Sequence, residues 1–187
     1  MPITGLALST PLAVLLTLFP SWWMPEGPLD HAGVPNFKRI NKAWSRGGQP
    51  TPAGVAELSK LGFVTIVDLR HQYESPWNFR REKAAAAAAS IRFVSLPISS
   101  WLAPHTKDVD KILAVIDDPQ ARPVFVHCGR GSDRGAEIVA LYRISHECWS
   151  ADDAIHEALK DHMLWWQFNF RHFIKKWAKK HRGGTCD

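Results

Sequence analysis

Three cysteines in 187 residues are too few for a disulfide framework. Cys148 and Cys186 pair only if an oxidising compartment joins them, and otherwise read as incidental. Nine histidines are present, but none shows His-x3-His spacing beside a carboxylate, so the chain is expected to hold no metal and no cofactor. No internal repeat is visible, and no nucleic-acid reader motif, so no nucleic-acid partner is expected. Acidic residues are missing from 90–107 and again from 162–182. Charge of either sign is missing from residues 3–19.

That uncharged run, followed by Pro20, Trp22 and Trp23, makes residues 1–24 a signal peptide or an N-terminal membrane anchor. The bland alternative is an apolar helix packed on the domain. The expected location is therefore membrane-anchored, or periplasmic or otherwise exported, in a bacterial type of cell. Residues 25–35, with Pro25, Gly27, Pro28, Gly33 and Pro35, read as a linker. Residues 36–182 suit one domain, and 183–187 a short tail. The net charge of +5 has one source: six Lys or Arg fall within 162–182, interleaved with Trp165, Trp166, Phe168, Phe170, Phe173 and Trp177. The aromatics are read as covering a sheet. The basic end suits a phosphorylated ligand or a membrane surface.

Within the domain, strand-like runs alternate with helical ones. Trp44–Gly48 reads as a strand and turn, Thr51-Pro52 as a helix start that Gly62 ends, and Phe63–Leu69 as a buried strand. A helix over about 77–89, a strand over 91–96 and a helix over 107–116 follow. Pro123 precedes a strand into Cys128, and helices are expected at about 133–145, 151–161 and 163–181. The pattern predicts an α/β domain with a central, mostly parallel sheet flanked by helices. Ligands in such folds bind beyond the carboxyl ends of the strands, where Cys128 falls.

Residues 124–135 read Val-Phe-Val-His-Cys-Gly-Arg-Gly-Ser-Asp-Arg-Gly. A thiol at a strand end is followed by a loop of small residues and then a helix start. Backbone N–H groups of such a loop, Gly129 to Arg134, bind a tetrahedral anion. Arg134 closes the ring with a planar fork, and the positive field favours a thiolate at Cys128. An inert structural cysteine leaves the placing of Gly131 and Arg134 unexplained. A sulfurtransferase loop is typically one residue shorter.

His-Cys-x5-Arg resembles the signature loop of the protein tyrosine phosphatase superfamily. Arg46-Gly-Gly-Gln-Pro and Asp68-Leu-Arg70 resemble its atypical dual-specificity branch of bacterial, fungal and plant type, over roughly residues 36–180. The resemblance implies the cysteine-phosphatase fold. It also implies that Cys128 attacks phosphorus, that Arg134 and the amides of 129–134 (Gly129, Arg130, Gly131, Ser132, Asp133 among them) hold the phosphoryl oxygens, and that His127 orients the loop. No metal is implied. The substrate would be a phosphotyrosine or phosphoserine protein, or an inositol phosphate or phospholipid.

Two departures stand out. The family usually has Ser or Thr after the arginine, where this chain has Gly135. It usually supplies an acidic residue from a flap before the cysteine, and residues 90–107 have none. Asp108 and Asp133 are the candidate general acids, with His105 behind them. Each carboxylate also has a plainer role at a helix N-terminus. Arg46 and Arg70 could line the pocket or pair internally with Asp68 or Glu74. A catalytically weak phosphate-binding module is the alternative function.

Overall fold

A computed structural model describes residues 33–181. The 1–24 segment, most of the expected linker and the 183–187 tail lie outside the described residues, as does Cys186. No helix among the described residues is long and apolar enough to cross a membrane.

Five strands form one sheet in the order β1-β2-β5-β3-β4. Strands β2 (Trp44–Gly47), β5 (Val124–His127), β3 (Thr65–Asp68) and β4 (Arg92–Ser95) are parallel, as the alternating pattern requires. An edge strand not anticipated from sequence, β1 (Lys38–Arg39), pairs antiparallel with β2. Its two residues are too few to show a period. The register sets Val126 opposite both Arg46 and Val67, so the ends of the three central strands meet at one place.

Strand alternation sends successive side chains to opposite faces. On one face Phe125 stacks on Phe37 (centroids 6.1 Å apart) and meets Phe63 edge-on. They pack with Val55 and Leu58 of α1 (Pro52–Lys60) and Ala86 of α2 (Pro76–Ala88). Thr51 caps α1 by accepting from the Gly54 N–H at 3.0 Å, with Pro52 in the first turn. On the other face Val67, Leu69, Val124 and Val126 pack against α3 (Thr106–Asp117), α4 (Asp133–His146) and α6 (Phe168–His181). Each such fully buried side chain contributes about 1.5–3 kcal/mol.

Helix α4 is buried from Arg134 to Tyr142 without interruption. The sheet lies on one side and α5 (Ala151–Lys160) and α6 on the others, so α4 shows no amphipathic stripe. Its N-terminus is thereby fixed at the end of β5.

Two boundaries and one cysteine differ from the sequence reading. Val34 is fully buried and Phe37 nearly so, which joins the last residues of the expected linker to the core. Helix α6 begins at Phe168 and not near 163, because His162 (φ 69°) turns the chain out of α5 and the backbone of 163–167 bonds elsewhere. No Gly or Pro marks that break. Cys148 is disulfide-bonded, which corrects its reading as incidental, whereas Cys128 is a free buried thiol.

Candidate active site

The loop 128–132 joins β5 to α4, and its carbonyls all face outward to partners. The His127 carbonyl accepts from Leu69 N at 2.9 Å, and that of Cys128 faces His127 Nδ1 at 3.2 Å. The Gly129 carbonyl accepts from Gln49 N at 2.9 Å, and that of Arg130 from Asn36 Nδ2 at 2.7 Å. Arg46 Nη1 donates to the Gly131 carbonyl, and Ala136 N donates to that of Ser132 at 2.7 Å. Tying six successive carbonyls outward turns the loop's N–H groups toward the thiol side. The Gly131 N–H donates to Cys128 Sγ at 3.3 Å. The N-terminal dipole of α4 adds to the same positive field.

The geometry requires glycine at 131 on two counts. Its φ is +83°, and a Cβ there would lie 2.4 Å from the Gly47 carbonyl carbon and from Gly48 N. Gly131→Ala is expected to cost on the order of 3 kcal/mol, as backbone strain plus overpacking. The denaturation midpoint reads this directly, and an unchanged midpoint would contradict the close approach of the two loops. Gly135 is different: a Cβ there meets only Arg46 Cδ, at 3.5 Å, so packing alone does not exclude the usual hydroxyl residue.

Arg134 is buried and held end-on. Its Nη1 donates to Glu74 Oε1 at 2.8 Å and to the carbonyls of Leu69 and Ile98 at 3.2 and 3.3 Å, while Nη2 donates to Glu74 Oε2 at 2.9 Å. On the Nε–Nη2 edge, Nε has no hydrogen-bond partner among the described residues, and Nη2 has a second N–H beside the one given to Glu74. That edge carries two parallel N–H donors, the arrangement that matches two phosphate oxygens. Burial works against its charge, but the Glu74 bonds and the nearby Cys128 hold Arg134 above its ordinary value. For Glu74 the burial cost is likewise outweighed by Arg134, which holds its carboxyl below the usual range.

Behind the loop lies a buried ion-pair network. His127 Nε2 is 2.8 Å from Glu82 Oε1 and 3.8 Å from Asp68. Burial alone would depress the His127 value, but Glu82 and Asp68 more than offset this and raise it. Donor atoms of Asp68, Glu82 and His127 lie within 4.8 Å of one another. Arg70 already pairs with Asp68 at 3.2 Å and approaches Glu82 at 4.0 Å, and Gln49 Nε2 donates to Glu82 at 2.7 Å. The negative charge is therefore met by the protein's own cations, and the cluster is built as a support for the loop.

The cleft above Cys128 encloses about 270 Å³. Cys128, Gly129, Arg130, Asp133 and Arg134 line it, together with Ser100, Trp101, Leu164, Trp166 and Gln167. A larger cavity of about 650 Å³, between Lys38 and α5, contains none of the loop residues. Asp133 faces the cleft. It does not cap α4: Oδ1 accepts from Leu164 N at 2.8 Å and Oδ2 pairs with Arg130. Asp108 stays on the first turn of α3, 3.4 Å from Lys111, and neither it nor His105 lines the cleft. Arg46 pairs with Asp161 at 3.0 Å, not with Asp68 or Glu74, and props the loop from behind.

One turn into α4, Glu137 is fully buried with neither carboxylate oxygen bonded. Burial first, and then the charge of Asp133, pushes its carboxyl well above the usual range. A folded-state value above the unfolded one means that the folded state holds the proton more tightly. Stability is thus complete below the unfolded value and falls as pH rises toward the folded one. Glu137→Met is expected to be more stable than the parent by about 1–3 kcal/mol above that window, and to flatten the pH dependence. Thermal melts from acid to neutral pH test it, and an unchanged slope would sink the idea.

A family of phosphatase domains, described as DSP-PTPase phosphatase fused to NAD+ kinase, matches residues 29–169. The chain belongs to this dual-specificity phosphatase family. That family lies within the protein tyrosine phosphatase superfamily. The probable NAD kinase 2, chloroplastic, of rice is 28% identical over 131 residues, which are 68% of this chain and 13% of that protein. The dual specificity protein phosphatase TpbA of Pseudomonas aeruginosa is 29% identical over 128 residues, 65% of this chain and 52% of that protein. The chain thus spans at most about half the length of these relatives. In fold it resembles a putative phosphatase of Shewanella putrefaciens (TM-score 0.68, 17% identity, 80% of this chain and 95% of that one). It also resembles the catalytic core of the yeast PP-IP phosphatase SIW14, from S. cerevisiae (TM-score 0.66, 18% identity, 76% and 85%).

Within this phosphatase domain several site residues escaped the sequence reading. Asn36 and Glu82 carry no local motif, and Gln49 and Glu74, though noted, were given no role at the loop or at Arg134. Leu164, Trp166 and Gln167 line the cleft only because the chain breaks before α6. The acid-free run 162–182 was visible, but its proximity to Cys128 was not.

Proposed function

We propose that this domain hydrolyses phosphomonoesters through a phosphocysteine at Cys128. The observation that carries the reading is the pairing of Sγ, under the Gly131 N–H, with the open Nε–Nη2 edge of Arg134 in one cleft. Sγ attacks phosphorus and the bond to the leaving oxygen breaks. The Arg134 edge and the loop amides hold the three equatorial oxygens. Asp133 is the carboxyl that faces the cleft, and it donates the proton to the leaving oxygen when released from Leu164 or Arg130. Water then attacks the phosphocysteine, giving phosphate and the thiolate. His127 positions the Cys128 carbonyl from Nδ1, and its Nε2 lies against Glu82 and not against the thiol.

The substrate reading follows the names of similar proteins. One solved TpbA structure holds phosphotyrosine, and SIW14 is described as a PP-IP phosphatase. A phosphorylated protein or an inositol phosphate suits a cleft of this size with Arg130 exposed at its mouth. The uncharged run 3–19 supports a membrane-anchored or exported location, and the disulfide at Cys148 agrees with an oxidising compartment. A second reading, a phosphate-binding module with little turnover, is favoured by Gly135 and by a flap without acid.

Phosphate release from an aryl phosphate, by the full chain and by Cys128→Ser, Asp133→Asn and Asp108→Asn, separates these readings. The expected result is aryl phosphate turnover lost in Cys128→Ser and, with an alkyl phosphate as second substrate, turnover reduced about 10²–10⁴-fold in Asp133→Asn. A wild-type chain that binds phosphate without turning over even the aryl ester would replace the enzyme with the binding module.

A further inference from the structure

The aromatic residues of 162–182 divide into two sets. Phe173 and Trp177 are buried in the core on the sheet side, as the sequence suggested, and Phe170 is buried among Ala136, Ala158 and Met163. Trp165, Trp166 and Phe168 are 67%, 46% and 60% exposed, and Trp101 across the cleft is 71% exposed. They form one patch. Trp165 lies 5.6 Å from Trp166 and 6.2 Å from Phe168 between ring centroids, and Asn169 Nδ2 donates to the Trp101 carbonyl at 3.0 Å. Trp101 and Trp166 also line the Cys128 cleft, so the patch rims the mouth of the site. Contiguous exposed aromatics of this kind mark an interaction surface.

What the patch meets is indicated by charge. Phe168, His172, Lys175, Lys176 and Lys179 are exposed at helical spacing on one side of α6, which continues the patch as a basic stripe. Lys175 has Asp152 at 3.6 Å. Lys176, Lys179 and Lys180 make no ion pair among the described residues. No acidic residue interrupts 162–182. Trp rings with a polar N–H settle at the headgroup level of a bilayer, and cations beside them gain from anionic lipid. The uncharged run 3–19 and the Trp22-Trp23 pair in the same chain have the same preference.

We propose that the mouth of the Cys128 cleft docks on an anionic phospholipid bilayer. Trp165, Trp166 and Phe168 enter the headgroup layer, and Lys176, Lys179 and Lys180 lie over lipid phosphates. The cleft then opens toward phosphate esters held at the membrane surface. The docking stands on the patch and the stripe, and only this last consequence rests on the phosphatase reading.

Two measurements on the full chain test it. One is quenching of tryptophan fluorescence by vesicles with brominated acyl chains, made of phosphatidylcholine or of an equal mixture with phosphatidylglycerol. The other is phosphate release from phosphatidic acid in those vesicles, compared with a soluble aryl phosphate. The variants are Trp165→Ser/Phe168→Ser and Lys176→Gln/Lys179→Gln/Lys180→Gln. The run 3–19 is common to all of them, so any attachment it provides cancels. With roughly fivefold expected for each lysine, vesicle turnover should fall about a hundredfold in the triple variant, with aryl phosphate turnover unchanged. Quenching should rise with phosphatidylglycerol in the wild type and fall in both variants. Quenching indifferent to phosphatidylglycerol and to both sets of substitutions would overturn the docking and leave the patch to a protein partner. Absent turnover of either ester, with lysine-dependent quenching retained, would overturn the phosphatase reading and keep the docking.

Discussion

Cys128→Ser is expected to lower phosphate release by a factor on the order of 10⁴–10⁶ while leaving phosphate binding in place, the scale seen when a nucleophile is removed. A serine hydroxyl needs a base to become nucleophilic. The only imidazole adjoining it in sequence, His127, has Nε2 2.8 Å from Glu82 and Nδ1 3.2 Å from the Cys128 carbonyl, and neither nitrogen has a contact with Sγ among the described residues. The loop itself does not depend on the sulfur. Its carbonyls are held by Leu69, Gln49, Asn36, Arg46 and Ala136, so the anion cradle survives the substitution. Turnover and titration with inorganic phosphate should therefore separate. Retained turnover in Cys128→Ser would remove the covalent mechanism, and loss of both together would mean that the loop had collapsed.

The second large effect is expected at Arg134. Arg134→Lys keeps a positive charge but loses the planar Nε–Nη2 edge and at least one of the two Glu74 bonds. A drop in kcat of about 10³–10⁵ follows from losing the charge fork that faces the transferring oxygens. Glu74→Gln probes the same geometry from behind. It leaves the guanidinium intact but weakens its anchorage, so a drop of about tenfold is expected, and Arg134→Lys/Glu74→Gln should be no worse than Arg134→Lys alone. Kinetics of the double-mutant cycle measure this coupling. Additive losses would show that Glu74 acts on something other than Arg134. The Glu74 carboxyl is held below its usual range, so the pair contributes stability above the unfolded value and loses it as pH falls through the folded one.

The local parts of this protein were legible in the chain. The run Val124 to Gly135 places strand, thiol, loop, arginine and helix start within a dozen consecutive residues, and each is dictated by neighbours a few positions away. The β-branched strands, the Thr51-Pro52 helix start and the four parallel strands follow from the same short-range patterns. Tertiary structure alone decided the rest. Arg134 meets Glu74 across 60 positions, Arg46 reaches Asp161, and Asn36 holds the Arg130 carbonyl across 94. A charged side chain in a sequence shows no direction, and only the packing of β2, β3 and β5 side by side selects which opposite charge it meets. The same holds for the aromatics of 162–182. Their hydrophobicity is one property, but the break at His162 turns Phe170, Phe173 and Trp177 into the core and leaves Trp165, Trp166 and Phe168 at the mouth of the cleft.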